Sequence, residues 1–105
     1  MDDVILTPDG ARVGRLDPVF KADLAVREAQ IVQERVDLLR VRVVPAPGWC
    51  ERDREVIVER VQDRVGRRMR VLVEETPALE RTAAGKLRAV VSRLPRQIRD
   101  GEESP

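Results

Sequence analysis

A chain of 105 residues has room for one small domain with a modest core and none for a second. Twenty basic residues against nineteen acidic ones leave a formal net charge of +1, so although 37% of the chain is charged, the signs are interspersed and no field of one sign exists to draw in nucleic acid. One cysteine excludes an internal disulfide, and with no histidine neither a Cys/His metal site nor a His-dependent triad can be assembled.

The amino end, "MDDVILTPDG", has no basic head and no long apolar run, and no segment reaches the ~18 apolar residues of a membrane span. A soluble, cytoplasmic chain is expected, with neither membrane nor nucleic acid as partner. Thr7-Pro8-Asp9-Gly10 separates two short apolar stretches, and because proline pre-sets one dihedral while glycine supplies a positive one, the spacing predicts a tight hairpin. Leu16, Val19 and Phe20 then recur at helical spacing, which predicts one or two helical turns. "VREAQIVQE" and "LLRVRVVP" read as strands joined by a turn at Arg35-Val36-Asp37. In the second, Leu39, Val41 and Val43 share one face while Arg40 and Arg42 take the other. Pro45-Ala46-Pro47-Gly48 stops that strand. From Glu51 to Val65 the apolar positions Ile57, Val58, Val61 and Val65 recur at three- and four-residue steps, which predicts an amphipathic helix ending near Gly66.

"MRVLVEE" from Met69 is a further strand, whereas Ala84 to Leu94 satisfies neither period cleanly and stays open between strand and helix. "PRQIRDGEESP", residues 95–105, is polar and without periodicity and reads as a disordered tail after a domain of residues 1–94. The elements add up to an α+β two-layer sandwich, a sheet of three or four strands covered by helices and preceded by an N-terminal hairpin. Cys50 stands where an N-cap serine would suit the helix, and a thiol is a poor cap, so its place is incidental. Trp49, in the loop after Pro47-Gly48, is assigned to packing on the sheet edge, with a contact to another domain as the alternative. The cluster Arg64, Arg67, Arg68 and Arg70 complements the helix C-terminus, with phosphate binding as the alternative.

One stretch asks for more than a turn: "ERTAAGKLR", residues 80–88, sets a lone lysine directly after a glycine. Alone it is an ordinary exposed turn. Together with "DDVILTPDGARVGRLDP" at the start, however, it resembles the C-terminal domain of adenylate-forming enzymes, most closely the phenylacetate-coenzyme A ligase type and its relatives in capsular polysaccharide synthesis. The resemblance runs in order over roughly residues 1 to 94. The late motif of that superfamily is approximately P-R/K-T-x-x-G-K; Arg81, Thr82, Gly85 and Lys86 match it, and Glu80 stands where proline is usual.

In such enzymes a large N-terminal domain binds ATP and a carboxylic acid, and a small C-terminal domain closes over the site as a lid. The resemblance therefore implies that Lys86 is the catalytic lysine of adenylation, with Arg81, Thr82 and Gly85 at the substrate. It also implies ATP and magnesium held mainly by the large domain, and coenzyme A as a candidate acceptor. Asp2 and Asp3 match the aspartates of the hinge motif G-R-x-D-D, whose Gly-Arg has no counterpart here because the chain begins at Met1. The implied partner is the N-terminal adenylation domain, without which the chain is expected to be inactive. A docking face left uncovered would favour a homo-oligomer. The alternative, in which Lys86 has no chemistry, is a stand-alone α+β interaction module.

Overall fold

The computed structural model describes residues 4–14, 16, 19–20, 23–81, 83–85 and 87–95. Residues 96–105, expected as a disordered tail, lie outside them. In chain order the elements are β1 (Ile5–Leu6), β2 (Arg12–Val13), β3 (Val26–Arg35), β4 (Leu38–Pro45), α1 (Glu51–Val65), β5 (Arg70–Glu75) and β6 (Val90–Ser92). Strands β1 and β2 form an antiparallel hairpin, and the other four form one sheet in the order β5-β4-β3-β6. The expected α+β domain with an N-terminal hairpin is therefore what the chain forms. Its helical layer, among the described residues, is the single helix α1.

The central pair is β3 and β4, antiparallel through the tight turn at residues 36–37. Their register sets Ala29, Ile31 and Gln33 of β3 opposite Val43, Val41 and Leu39 of β4. These six side chains share one face because strand residues alternate. On the other face Gln30 lies opposite Arg42 and Val32 opposite Arg40. Both flanking strands run parallel to the strands they join, β5 to β4 and β6 to β3. A parallel neighbour needs a long crossover; for β5 the crossover is α1, laid on the apolar face. The connection from β5 to β6 is the segment from 76 to 89, in which none of the described residues is helical.

Helix α1 buries Ile57, Val61 and Val65 at four-residue steps, against Leu39, Val41, Val43, Ile31 and Met69. Ile5, Leu16, Val19 and Leu24 complete that core from the amino-terminal side, and Trp49 packs against its rim. The helix begins at Cys50, whose backbone N–H donates to the Asp53 carboxylate at 3.0 Å. Asp53 therefore closes the first turn, and it is buried in doing so. At the far end Gly66 takes φ +99° and donates its N–H to the Gln62 carbonyl at 2.8 Å. Arg60 ties the outer side of α1 to the amino-terminal segment through Asp23, at 2.7 and 3.1 Å, and through the Val19 carbonyl at 3.2 Å. Of the helical turns expected around Leu16 to Phe20, residues 17 and 18 lie outside the described residues; the Val19 N–H donates to the Leu16 carbonyl at 3.0 Å.

The hairpin has no backbone ladder to the sheet among the described residues; one side chain makes the join. Gln33, fully buried, accepts the Leu6 N–H at 2.9 Å and donates to the Leu6 carbonyl at 2.7 Å. Its carboxamide thus pairs with β1 as a peptide group of a neighbouring strand would. A second donation, to the Arg35 carbonyl at 3.2 Å, holds the end of β3. Replacing Gln33 by methionine keeps the volume but strands both Leu6 groups, a loss expected to cost about 2–4 kcal/mol. Urea unfolding of Gln33→Met should show that loss as a lower midpoint with an unchanged slope. An unchanged midpoint would mean that Gln33 is not what holds the hairpin.

Candidate functional site

The chain leaves β5 at one edge of the sheet and must reach β6 at the other, so residues 76–89 cross a face. The face they cross is the polar one. Thr76 donates its N–H to the Val43 carbonyl at 2.8 Å, and Leu79 is buried. Glu80 then meets Arg42 at 3.0 Å, and Arg81 pairs with Glu28. Past the turn, Gln30 donates its amide to the Arg88 carbonyl at 3.0 Å, and the Ile31 N–H reaches the Ala89 carbonyl at 2.8 Å, starting β6. Gln30 also accepts from Arg42, at 3.4 Å. Glu28, Gln30 and Arg42 therefore form one row across β3 and β4 that fastens both ends of the crossing loop.

Between those fastenings Ala83, Ala84 and Gly85 make an exposed turn, with Gly85 at φ +81°. An L side chain seldom adopts that backbone, so a glycine there follows from the turn itself. Of the six residues expected at the site, Arg81 and Gly85 are described; Lys86, Thr82, Asp2 and Asp3 lie outside the described residues. Arg81, expected at the substrate, spends its guanidinium at least in part on Glu28, with its side chain still 45% exposed. In this geometry it positions the loop.

Glu80 is the departure from the family motif, and the structure gives it a partner. The hydrogen bond from Arg42, and then that arginine's charge, hold the Glu80 carboxyl below its ordinary value of 4.5. Proline would stiffen the chain before the motif; glutamate instead ties it down by an ion pair. The sequence carries half of this: the alternation of β4 already puts Arg42 on the polar face. The partner, 38 positions later, has no local signal. Glu28 and Gln30 look like solvated strand residues, and of the twenty basic residues only Lys21 and Lys86 are lysines.

Elsewhere, Arg67 of the basic cluster pairs with Asp63 at 2.7 Å, while Arg64, Arg68 and Arg70 are exposed. Cys50 is an exposed thiol. Among the described residues no group of three or more His, Cys, Asp or Glu could hold a metal ion, and no helix is long and apolar enough to cross a membrane.

A carboxyl depressed in the folded state contributes its stability above the ordinary pKa and loses it as pH falls through the depressed value. The Glu80 fastening should therefore be intact at neutral pH and released only in acid. Carboxyl-carbon NMR titration should find Glu80 titrating below 4.5, and Arg42→Gln should return it upward. A Glu80 midpoint that ignores Arg42→Gln would remove this anchor from the loop.

Against known families, residues 5–93 match the family described as CapK C-terminal domain. No curated protein and no solved structure matches the chain.

Proposed function

The chain belongs to the CapK C-terminal domain family, and from that premise we propose that it is the lid of an acyl-adenylating enzyme, delivering Lys86 to a site built mainly by a larger ATP-binding domain. What carries the reading is the loop: Arg81 and Gly85, two of the matched residues, fall on a segment that crosses the polar sheet face and is fastened at both ends, and Lys86 follows Gly85 in the sequence. Supporting it is the use of lysine. A chain with eighteen arginines and only two lysines keeps a compact ammonium at position 86, and adenylation favours that choice.

In the proposed reaction a carboxylate oxygen attacks the α-phosphorus of ATP, pyrophosphate leaves, and an acyl-adenylate forms. Negative charge accumulates on oxygens that repel one another as they approach. An ammonium on a flexible four-carbon stem can bridge carboxylate and phosphate oxygens, whereas a guanidinium in fixed fork geometry serves one planar partner best. Gly85 keeps the backbone beside the lysine free of a side chain, Glu28 and Arg42 hold the start of the loop, and Gln30 holds its far end. Asp2 and Asp3 are the proposed hinge, ahead of a hairpin that Gln33 locks to the sheet. Magnesium and the nucleotide belong to the large domain in this reading, and coenzyme A is the acceptor that the resemblance favours for the second half-reaction.

In the enzyme joined to its large domain, Lys86→Ala should slow adenylate formation by about 10²- to 10³-fold, the usual loss when one donor aimed at a developing oxyanion is removed. Lys86→Arg should rescue little of it. Transfer from a supplied acyl-adenylate should fall far less. Pyrophosphate exchange against acyl transfer, measured on the same preparation, separates the two steps, and normal exchange by Lys86→Ala would overturn the proposal.

A further inference from the structure

A cavity of about 250 Å³ opens beside the start of β3 and takes no part in the adenylation chemistry above. Its lining is mostly apolar: Leu16, Phe20, Val26, Ala29, Ile31 and Val90, with Ala89 beside them. Leu16, Ile31 and Val90 are buried, whereas Arg27, also on the cavity, is exposed, so its charge stands at the solvent side. Glu28 is the other charged residue on the cavity, and its carboxylate is taken up by Arg81. Arg27 has no ion-pair partner among the described residues. Among the described residues the rim therefore carries one positive charge without a matching carboxylate, over a pocket that two alanines keep open.

We propose that this cavity binds a small amphiphilic anion, with its apolar body against Phe20, Ala29 and Val90 and its charged head on Arg27. The size follows from packing: an apolar cavity of roughly 150 Å³ holds one benzene ring, so this one takes a body of up to about ten heavy atoms. The charge follows from the rim. A cation would be repelled by Arg27, a neutral chain would leave it with water alone, and an anion gains a charge-assisted hydrogen bond at the edge of an apolar site. Nothing in this site requires ATP, a second domain or Lys86, so its failure would leave the adenylation reading untouched.

The test is amide NMR of the isotope-labelled 105-residue chain with four eight-carbon probes: octanoate, octyl phosphate, octanol and octylammonium. Octanoate or octyl phosphate should saturably shift the amides of Phe20, Ala29, Ile31, Ala89 and Val90, and should bind about tenfold more tightly than octylammonium. The tighter of the two anions identifies the head group. Arg27→Gln should reduce the anions to the affinity of octanol. Ala29→Leu, which fills the cavity, should abolish binding of all four while the amides of α1 keep their positions. Should Ala29→Leu not fold, Ala89→Phe fills the same space from the more exposed side. Shifts that do not saturate, that map elsewhere, or that are as strong for octylammonium would each overturn the proposal.

Discussion

Leu39, Val41 and Val43 point to one side of β4, and Arg40 and Arg42 to the other; a one-residue slip against β3 would exchange them. That slip would bury two guanidiniums under α1 and expose three valine or leucine side chains, each contributing about 1.5–3 kcal/mol when buried. The register is therefore fixed, and the other elements inherit their places from it. Helix α1 has an apolar stripe and only one apolar face on which to lay it. Strand β5 must then arrive parallel to β4, and the return to β6 is left with the polar face.

The two faces do different work. Burial of Ile31, Leu39, Val41, Val43, Ile57 and Val61 holds the domain together. The ion pairs on the opposite face are exposed or half-exposed, and pairs of that kind are worth about 0–1 kcal/mol each. Their value is geometric. Arg42 reaches both Gln30 and Glu80, Glu28 reaches Arg81, and Gln30 reaches the backbone at Arg88. A loop of otherwise small residues, Ala83, Ala84 and Gly85, is thereby presented at a defined place on a rigid sheet. The device is the same one Gln33 uses for the hairpin, a polar side chain of β3 doing the work of a missing ladder.

Much of this was legible in the sequence wherever a short period governed it. The two-residue alternation of β4, the four-residue steps of α1 and the Pro-Asp-Gly turn each declare an element within a window of ten residues, and all three formed as expected. Strand β6 stayed open because three residues are too few to show a period; its identity comes from pairing with Ile31, Val32 and Gln33, some 60 positions earlier. Gln33 was invisible for a related reason, since a glutamine on the core face is distinguished only by the Leu6 groups it meets. At the candidate site the turn around Gly85 had a local signal, but the row Glu28, Gln30 and Arg42 that fastens the loop had none. Asp53 shows the same limit at short range: only the folded turn brings its carboxylate back to the Cys50 N–H three residues earlier.

The scarcity of lysine makes the central claim open to a direct chemical measurement. With Lys21 and Lys86 the only two in the chain, amine acylation of the enzyme joined to its large domain, read by mass spectrometry, reports each separately. A non-hydrolysable acyl-adenylate analogue bound in the closed enzyme should shield Lys86 sharply from acylation and leave Lys21 as reactive as before. Equal labelling of Lys86 with and without the analogue would contradict its place at the adenylate.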